Sequence, residues 1–208
     1  MSELKTLFNK YGCDKSKKHN YHEVYEPEFN PIKNEEINIL EVGVFKGDSI
    51  RAWLEFFPNA TIYGLDIFHR VKAEEIDVMQ HERVKWLKCD STSYTVRDQI
   101  ERAWPGIRFD IIIDDGLHTP AANARTLHNL FPLLEKKGRF YVEDVWPLDT
   151  MSHAEMQHHW ITSHPNDYNL LEMIKFTQET LDKNPFPFDL RKSTGEPDSY
   201  IIRVTNAR

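Results

Sequence analysis

Short apolar runs alternate with longer amphipathic stretches along most of the chain. Five runs have the length and composition of buried strands and lie at residues 37–43, 61–66, 84–89, 109–113 and 139–142. Between them, apolar side chains recur at helical spacing in residues 47–57, 95–103 and 121–136. This alternation predicts an α/β fold, in which a doubly wound, mostly parallel sheet is covered by helices on both faces.

The C-terminal part of the chain predicts a different kind of pairing. Residues 186–190 and 199–204 are apolar runs on either side of a turn that contains Gly195. They predict an antiparallel hairpin at one edge, which brings the sheet to seven strands. The run at 84–89 is more polar than the others, so we expect it nearer to an edge of the sheet.

Two segments, 1–36 and 147–183, fit neither pattern. Open α/β sheets bind ligands at the carboxyl ends of their strands, and segments outside the alternation are candidates to cover that edge. We therefore expect residues 1–36 to be an N-terminal lid or substrate segment, or else a simple docking helix. The remaining residues, 37–208, form the main domain, with 147–183 as an insertion or cap.

Composition and charge narrow the class of protein. Hydrophobic residues make up 40% of the chain and charged residues 28%, which is typical of a soluble globular domain. The net charge of −7 argues against a nucleic-acid partner, because phosphate backbones are bound by clustered Lys and Arg. The one basic cluster, Lys15-Ser16-Lys17-Lys18, is expected to be a solvated face.

The same composition predicts a cytoplasmic protein without a membrane partner. No run reaches the roughly 18 apolar residues of a membrane span, and the first residues lack the apolar core of a signal peptide. The two cysteines, Cys13 and Cys89, form no CxxC motif, and unpaired thiols suit a reducing compartment. A homo-oligomer remains open.

Acids stand at the ends of the first three predicted strands. Glu41 precedes a turn at Gly43, a residue that lets a ligand approach the main chain. Asp66 ends the second strand, where a carboxylate accepts hydrogen bonds from ribose hydroxyls. Asp90 and Ser91 follow the third strand, and Asp90 could accept from an adenine amino group. Together they predict a nucleoside ligand, with helix caps and solvated turns as the alternative.

Two more acid pairs follow the strands at 109–113 and 139–142. Asp114-Asp115 and Glu143-Asp144 should meet at one edge, since parallel neighbours lie roughly 4.8 Å apart. Carboxylates placed so closely repel one another, which favours a bound cation over solvated acids at loop starts. Asp115 is the preferred ligand of the first pair, because His118 follows it by three residues. Asp114 then points to the opposite face and could meet an ammonium group of the cofactor.

These motifs resemble the class I S-adenosylmethionine-dependent methyltransferases over residues 37–145 and the terminal hairpin. An acid before the glycine turn, without a pyrophosphate-type glycine triplet, is the pattern of that Rossmann-like family. The resemblance implies S-adenosyl-L-methionine as cofactor, with Glu41 and Gly43 beside its methionine part. It also implies that Asp66 binds the ribose and that Asp90 with Ser91 flanks the adenine.

A closer resemblance is to the metal-dependent macrolide-sugar O-methyltransferases, with related carboxylate sets in cephalosporin-hydroxylase-like proteins. The residues that carry it are Tyr11-Gly12-Cys13-Asp14-Lys15, His19, Tyr21, His22, Tyr25, Asp115-Gly116-Leu117-His118 and Glu143-Asp144. The resemblance implies Mg²⁺ bound by Asp115, Glu143 and Asp144, with His118 as the general base. Asp115 and His118 are then the expected catalytic residues.

The expected function is therefore metal-dependent methyl transfer from S-adenosylmethionine to a hydroxyl of a small polar substrate, a sugar or a glycosylated natural product. A nicotinamide-dependent Rossmann oxidoreductase is the first alternative, weakened by the missing GxGxxG. A non-catalytic nucleotide- or sugar-binding protein is the second. His153, His158, His159 and His164 do not share one helical face, so a polar substrate lid or an ordinary surface is expected there rather than a zinc site.

Overall fold

The computed structural model describes residues 2–145 and 183–207, together with positions 152 and 154. The N-terminal segment is helical and holds α1 (Glu3–Tyr11), α2 (Asp14–Lys17), α3 (His22–Phe29) and a 3₁₀ turn at Asn30–Ile32. Helices that follow strands are α4 (Asp48–Phe56), α5 (Val96–Ala103), α6 (Pro120–Leu130) and the one-turn α7 (Arg191–Thr194). The predicted histidine group at 153–164 lies outside the described residues, as does nearly all of the predicted cap.

Seven strands form one mixed sheet, as predicted. They are β1 (Asn38–Val42), β2 (Thr61–Asp66), β3 (Val84–Lys88), β4 (Phe109–Asp114), β5 (Leu134–Val142), β6 (Phe186–Asp189) and β7 (Tyr200–Thr205). Their order is β3-β2-β1-β4-β5-β7-β6, with β1 to β5 parallel and β7 antiparallel to both β5 and β6. The α/β class and the terminal hairpin are confirmed, and β3 lies at an edge.

The position of β1 determines where a ligand can bind. The chain builds β2 and β3 on one side of β1 and later places β4 and β5 on its other side. The strand order therefore reverses between β1 and β4, and doubly wound sheets bind ligands outside the carboxyl ends of the strands at such a point. We refer to these strand ends, from β1 to β5, as the carboxyl edge.

The predicted helix at 121–136 is wrong in its second half. Helix α6 ends at Leu130, a 3₁₀ turn covers Phe131–Leu133, and β5 already begins at Leu134. Pro132 explains the early end, because proline has no N–H to continue the hydrogen bonding of the helix. The pairing of β4 with β5 is irregular between Phe109 and Ile111, where the longer β5 is accommodated.

The N-terminal helices belong to the core of the domain. Phe8 of α1 packs edge-on against Trp53 of α4 with ring centroids 5.1 Å apart, and Tyr25 of α3 packs against the same indole at 5.6 Å. All three side chains are fully buried. Residues 1–36 thus carry docked helices, while the turn between α1 and α3 reaches the carboxyl edge. No helix within the described ranges is long and apolar enough to cross a membrane.

Candidate functional site

A buried lysine occupies the centre of the carboxyl edge. Lys15 is 2% exposed, and its ammonium lies 2.6 Å from Asp115 Oδ2 and 3.5 Å from Glu41 Oε1. The same ammonium donates a hydrogen bond to Glu143 Oε2. These acids come from the ends of β4, β1 and β5, so one side chain of the N-terminal segment joins three neighbouring strands.

The prediction of a solvated basic face is wrong for Lys15. Lys17 and Lys18 are exposed, but α2 turns Lys15 and Ser16 into the protein. A single turn of helix separates these faces, and charge alone does not reveal which lysine is inside. The signal that singles out Lys15 is its place in the Tyr11–Lys15 motif.

Charge balance keeps Lys15 an ammonium. Burial by itself lowers the pKa of Lys15, but the carboxylates of Asp115, Glu143 and Glu41 together raise it well above its ordinary value. Burial also raises the pKa of Glu143 well above its usual range. It raises the pKa of Glu41 to about 7, although Lys15 opposes that change. The interior thus holds one cation among three acids, and protons or a further cation balance the remaining charge.

A second cluster lies beside this lysine, and we call it the cation cluster: Asp115, His118 and Asp144. One ligand atom from each lies within 4.8 Å of the others. His118 Nε2 is 3.5 Å from Asp115 Oδ1 and 3.8 Å from Asp144 Oδ2. Asp115 is therefore shared between the two groups, because its other oxygen contacts Lys15.

Backbone geometry in the cation cluster is unusual. His118 and Asp144 both have left-handed conformations, with φ of 56° and 51°. Such angles cost about 1–3 kcal/mol for a non-glycine residue and persist where the surroundings impose them. At Asp144 the hydroxyl of Tyr21 supplies that support, since it accepts from the backbone N–H at 3.2 Å and donates to Oδ1 at 2.5 Å. Strain at two of three members is typical of a functional site.

Glu143, predicted as a metal ligand, is not brought into this cluster. Its Oε2 accepts from Lys15 and its Oε1 accepts from the hydroxyl of Tyr25, and its side chain is 1% exposed. The left-handed backbone at Asp144 directs the carboxylate of Asp144, and not that of Glu143, toward His118. The structure therefore assembles His118 with two acids where the sequence analysis expected three acids.

Asp114 and Asp115 point to different environments, as their alternation on a strand requires. Asp114 is 2% exposed and lies 3.4 Å from the side-chain amide of Asn123 on α6. Burial raises the pKa of Asp114 to about 7, partly opposed by His118. The preference for Asp115 in the cation cluster agrees with this geometry. The contact of Asp114 with a cofactor ammonium stays a prediction.

Gly43 allows the loops after β1 and β4 to meet. Its φ is 87°, and a Cβ at this position would lie 2.0 Å from the carbonyl oxygen of Asp115. The Asp115 N–H in turn donates to the carbonyl of Val42 at 3.0 Å. The close approach expected at Gly43 is thus made by the backbone of Asp115, and this contact helps to place the Asp115 carboxylate.

Asp66 holds the loops around the expected ribose position. Its Oδ2 accepts from the backbone N–H groups of Val44 and Phe45 at 2.8 and 3.0 Å. Its Oδ1 accepts from Phe68 N–H at 2.6 Å. Phe45 and Phe68 have φ of 48° and 46°, so the carboxylate stabilises two strained turns. Three of its roughly four lone-pair sites are used, which leaves capacity for one ligand hydroxyl rather than two.

Asp90 and Ser91 lie at the end of β3 with local partners. Asp90 is exposed, and its Oδ1 accepts from the N–H and the hydroxyl of Thr92 at 2.8 and 2.7 Å. The Ser91 hydroxyl pairs with that of Thr126 on α6 at 2.8 Å. This is the turn-capping arrangement that the sequence analysis kept as the alternative, and the adenine contact stays a prediction.

Known proteins with similar sequences are O-methyltransferases. Mycinamicin VI 2''-O-methyltransferase of Micromonospora griseorubida is 32% identical over 188 residues, which cover 86% of this chain and 43% of that protein. Demethylmacrocin O-methyltransferase of Streptomyces fradiae is 28% identical over 187 residues, or 86% of this chain and 44% of that protein. The chain thus spans less than half the length of these curated relatives. No family model matches it.

Solved structures give the same picture of the fold. The MycE methyltransferase of the mycinamycin biosynthetic pathway, in complex with Mg and SAH, superposes with a TM-score of 0.73 at 23% identity. The match covers 99% of this chain and 55% of that one. A complex of the same enzyme that also contains mycinamycin VI has a TM-score of 0.71. The chain therefore has the class I methyltransferase fold and is a homologue of the macrolide-sugar O-methyltransferases.

Proposed function

We propose that this chain catalyses metal-dependent methyl transfer from S-adenosylmethionine to a hydroxyl of a sugar or glycosylated natural product. The observation that supports this most is the meeting of Asp115, His118 and Asp144 at the carboxyl edge, beside the turn at Gly43. The edge thus offers a position for a cation and, next to it, a position for a nucleoside cofactor. One relative is named as a 2'-O-methyltransferase of a rhamnosyl tetracenomycin, which supports the acceptor class.

The donor atoms of the cation cluster fit a hard divalent ion. Mg²⁺ takes oxygen ligands and usually keeps several waters, and Asp115 and Asp144 supply oxygens while leaving part of the ion's surroundings open. The surplus of acids over cations gives a physical reason for an ion to bind. When bound, Mg²⁺ supplies Lewis acidity that lowers the pKa of a coordinated hydroxyl and orients it. In this proposal Glu143 does not ligate the ion and instead holds Lys15.

His118 is the proposed general base. It is half-buried, and its Nε2 faces Asp115 and Asp144 at 3.5 and 3.8 Å. Its Nδ1 is buried and cannot be reached by a substrate, so the acceptor hydroxyl is expected to give its proton to Nε2. Both carboxylates then stabilise the imidazolium. A positioned base of this kind typically contributes 10²–10⁴-fold to the rate.

The cofactor is proposed to lie along the ends of β1, β2 and β3. Gly43 would border its methionine part, the remaining lone-pair site of Asp66 would accept from a ribose hydroxyl, and Asp90 with Ser91 would flank the adenine. Glu41 is fully buried and receives hydrogen bonds from Ser49 and Trp53 at 2.9 and 3.2 Å. We therefore assign Glu41 an indirect role, in which it holds Lys15 at the edge of this site.

Calorimetry with S-adenosylmethionine and S-adenosylhomocysteine tests the proposal most directly. We expect both to bind the full chain, and we expect Asp66→Asn to weaken both at least tenfold. Asp98→Asn, on the exposed face of α5, is the matched control and should leave both affinities unchanged. Transfer of a labelled methyl group to glycosylated macrolides, in the presence and absence of EDTA, then tests the reaction and its metal. If neither compound binds but NADH does, the oxidoreductase alternative replaces this proposal.

The remaining expectations belong to the same proposal. We propose that residues 1–36 border the acceptor site of the domain 37–208, and nearly all of the predicted cap at 147–183 lies outside the described residues. The partner is a small molecule, with no nucleic acid or membrane involved, and the protein works in the cytoplasm. A homo-oligomer stays a prediction, which light scattering of the purified chain would test.

A further inference from the structure

The two carboxylate oxygens of Asp144 face two different histidines. Its Oδ2 is 3.8 Å from Nε2 of His118 in the cation cluster, and its Oδ1 is 3.7 Å from Nε2 of His19. His19 belongs to the turn between α2 and α3 and has no part in the function proposed above. Asp144 is therefore a bridge between the cation cluster and a second group of polar side chains.

This second group contains buried polar atoms that lack partners. His19 is 2% exposed, and its Nε2 makes no hydrogen bond to any described residue. Asp198 Oδ1 is also buried without a hydrogen-bond partner in the described part of the chain, and it lies 3.9 Å from His19 Nδ1. Each such atom costs about 1–3 kcal/mol when it stays unsatisfied. Two such atoms beside the carboxylate of Asp144 point to a bound ligand.

We propose that His19, Asp144 and Asp198 form a second divalent-cation site, which we call the His19 site. One ligand atom from each of these residues lies within 4.8 Å of the others. The hydroxyl of Ser199 is 2.9 Å from His19 Nδ1 and fixes the orientation of the ring. An imidazole combined with two carboxylates favours a transition-metal ion such as Zn²⁺, because imidazole nitrogen suits Zn²⁺ better than it suits Mg²⁺. The two carboxylates also suit Mn²⁺, which serves as the probe.

The hydrogen bonds and ion pairs that Asp144 and Asp198 already make leave oxygen lone pairs available to a metal ion. Lys18 contacts the other oxygen of Asp198, at 3.4 Å, and the lysine is largely exposed, so solvent screens its charge. Tyr21 donates to Asp144 Oδ1 and uses one of the lone pairs of that oxygen. The alternative occupant is a proton: a doubly protonated His19 between Asp144 and Asp198 would pair with both acids and exclude a metal. The two occupants predict different metal stoichiometries.

Counting bound Mn²⁺ distinguishes these cases. The full chain is freed of metal with EDTA and titrated with Mn²⁺, and free Mn²⁺ is measured by electron paramagnetic resonance. We expect two ions per chain in the wild type and one in His19→Ala and in Asp198→Asn. The control His69→Ala removes an exposed histidine and should keep both ions. If wild type and His19→Ala bind the same number of ions, the His19 site does not exist.

Co²⁺ provides a second readout that does not depend on stoichiometry. Its visible absorption changes when an imidazole joins the coordination shell, so His19→Ala should remove a band that His69→Ala retains. Should His19→Ala fail to fold by circular dichroism, Asp198→Asn decides, because it keeps the histidine and the shape of the acid. One ion bound equally by wild type and Asp198→Asn overturns the proposal.

The His19 site and the proposed methyl transfer can fail separately. Asp115→Asn removes a ligand of the cation cluster only, so we expect it to retain one Mn²⁺ at the His19 site. Combined with His19→Ala, it should retain none. If two ions bind but S-adenosylmethionine and S-adenosylhomocysteine do not, the proposed function is wrong and the His19 site stands.

Discussion

Lys15 donates a hydrogen bond to Glu143 inside the protein, although the two residues stand 128 positions apart in the sequence. The contact links the N-terminal helices to the end of β5. It gives Glu143 a partner other than a metal ion, and it leaves the second oxygen of Asp115 directed toward His118. Much of the chemistry assigned to this edge depends on that one ammonium.

Replacing Lys15 should destabilise the fold strongly. In Lys15→Met the carboxylates of Glu41, Asp115 and Glu143 lose their shared cation, and breaking a buried pair by removing one partner costs about 3–5 kcal/mol. Urea unfolding in EDTA measures the loss. Lys17→Met, two residues away and exposed, is the matched control and should change the free energy of unfolding by less than about 0.5 kcal/mol. Equal stability of the two variants would mean that Lys15 is not buried in solution.

Glu143→Gln should separate the two roles considered for Glu143. If this residue holds Lys15, the variant loses stability but binds Mg²⁺ and Mn²⁺ within about threefold of the wild type. Asp115→Asn should weaken Mg²⁺ at least tenfold and should lose the Mn²⁺ of the cation cluster while it keeps that of the His19 site, because it removes an oxygen that faces the cation cluster only. Calorimetric titration of both variants measures the affinities. Loss of metal from Glu143→Gln as severe as that from Asp115→Asn would restore Glu143 as a ligand.

His118→Gln should reduce turnover without affecting cofactor binding. The glutamine cannot accept the proton, so we expect kcat to fall by about 10²–10⁴-fold while the affinity for S-adenosylhomocysteine stays the same. Single-turnover methyl transfer and calorimetry give the two quantities. His69→Gln, at an exposed position, should change neither. A variant with normal kcat would remove His118 from the proposed mechanism.

The stability of the protein should fall as the pH rises from 5 to 8. Burial raises the pKa of Asp114 to about 7, so the folded state holds a proton that the unfolded chain has already lost near its ordinary pKa of 3.8. The protonated Asp114 therefore stabilises the folded state fully at low pH. This stabilisation is lost as the pH rises through 7, which lowers the free energy of unfolding by up to about 3 kcal/mol. Asp114→Asn should reduce the loss. The pKa of Glu41 is also raised to about 7, so the pH dependence that remains in Asp114→Asn is expected to come from Glu41.

Urea midpoints at pH 5 and pH 8, in EDTA and without cofactor, provide this comparison. Asp98→Asn is the control for a carboxylate at the surface and should keep the full pH dependence. An Asp114→Asn variant whose midpoint falls as much as that of the wild type would show that Asp114 is ionised in the folded state throughout this range.

Gly43→Ala should disrupt the site more than the backbone angle alone explains. Gly43 and Gly12 have similar angles, with φ of 87° and 75°, so an alanine is strained at both positions. Only at Gly43 would the new Cβ overlap another atom, the carbonyl oxygen of Asp115, whereas Gly12 has nothing within 4 Å. We expect Gly12→Ala to cost about 1 kcal/mol and Gly43→Ala at least twice that. Gly43→Ala should also weaken metal binding. If Gly12→Ala and Gly43→Ala lose the same stability and the same metal affinity, the role of Gly43 is contradicted.

The architecture was accessible from the sequence because its determinants are local. Apolar runs of strand length and helical spacing reveal which segments are buried, and Gly195 and the flanking runs reveal the terminal hairpin. The helix at 121–136 was overextended because its leucines keep a helical spacing past Pro132, where the backbone cannot follow. Acids that directly follow strands could likewise be placed at one edge, since parallel strands bring their ends together.

Only the tertiary structure decided how those acids are used. Lys15 was indistinguishable from its exposed neighbours, because its burial depends on acids that lie up to 128 positions away. Glu143 and Asp144 are adjacent in sequence, yet a left-handed backbone and the hydroxyl of Tyr21 direct them to different cations. Sequence patterns report burial and proximity along the chain. The pairing of charges is set by where side chains meet in space, and that depends on packing between distant segments.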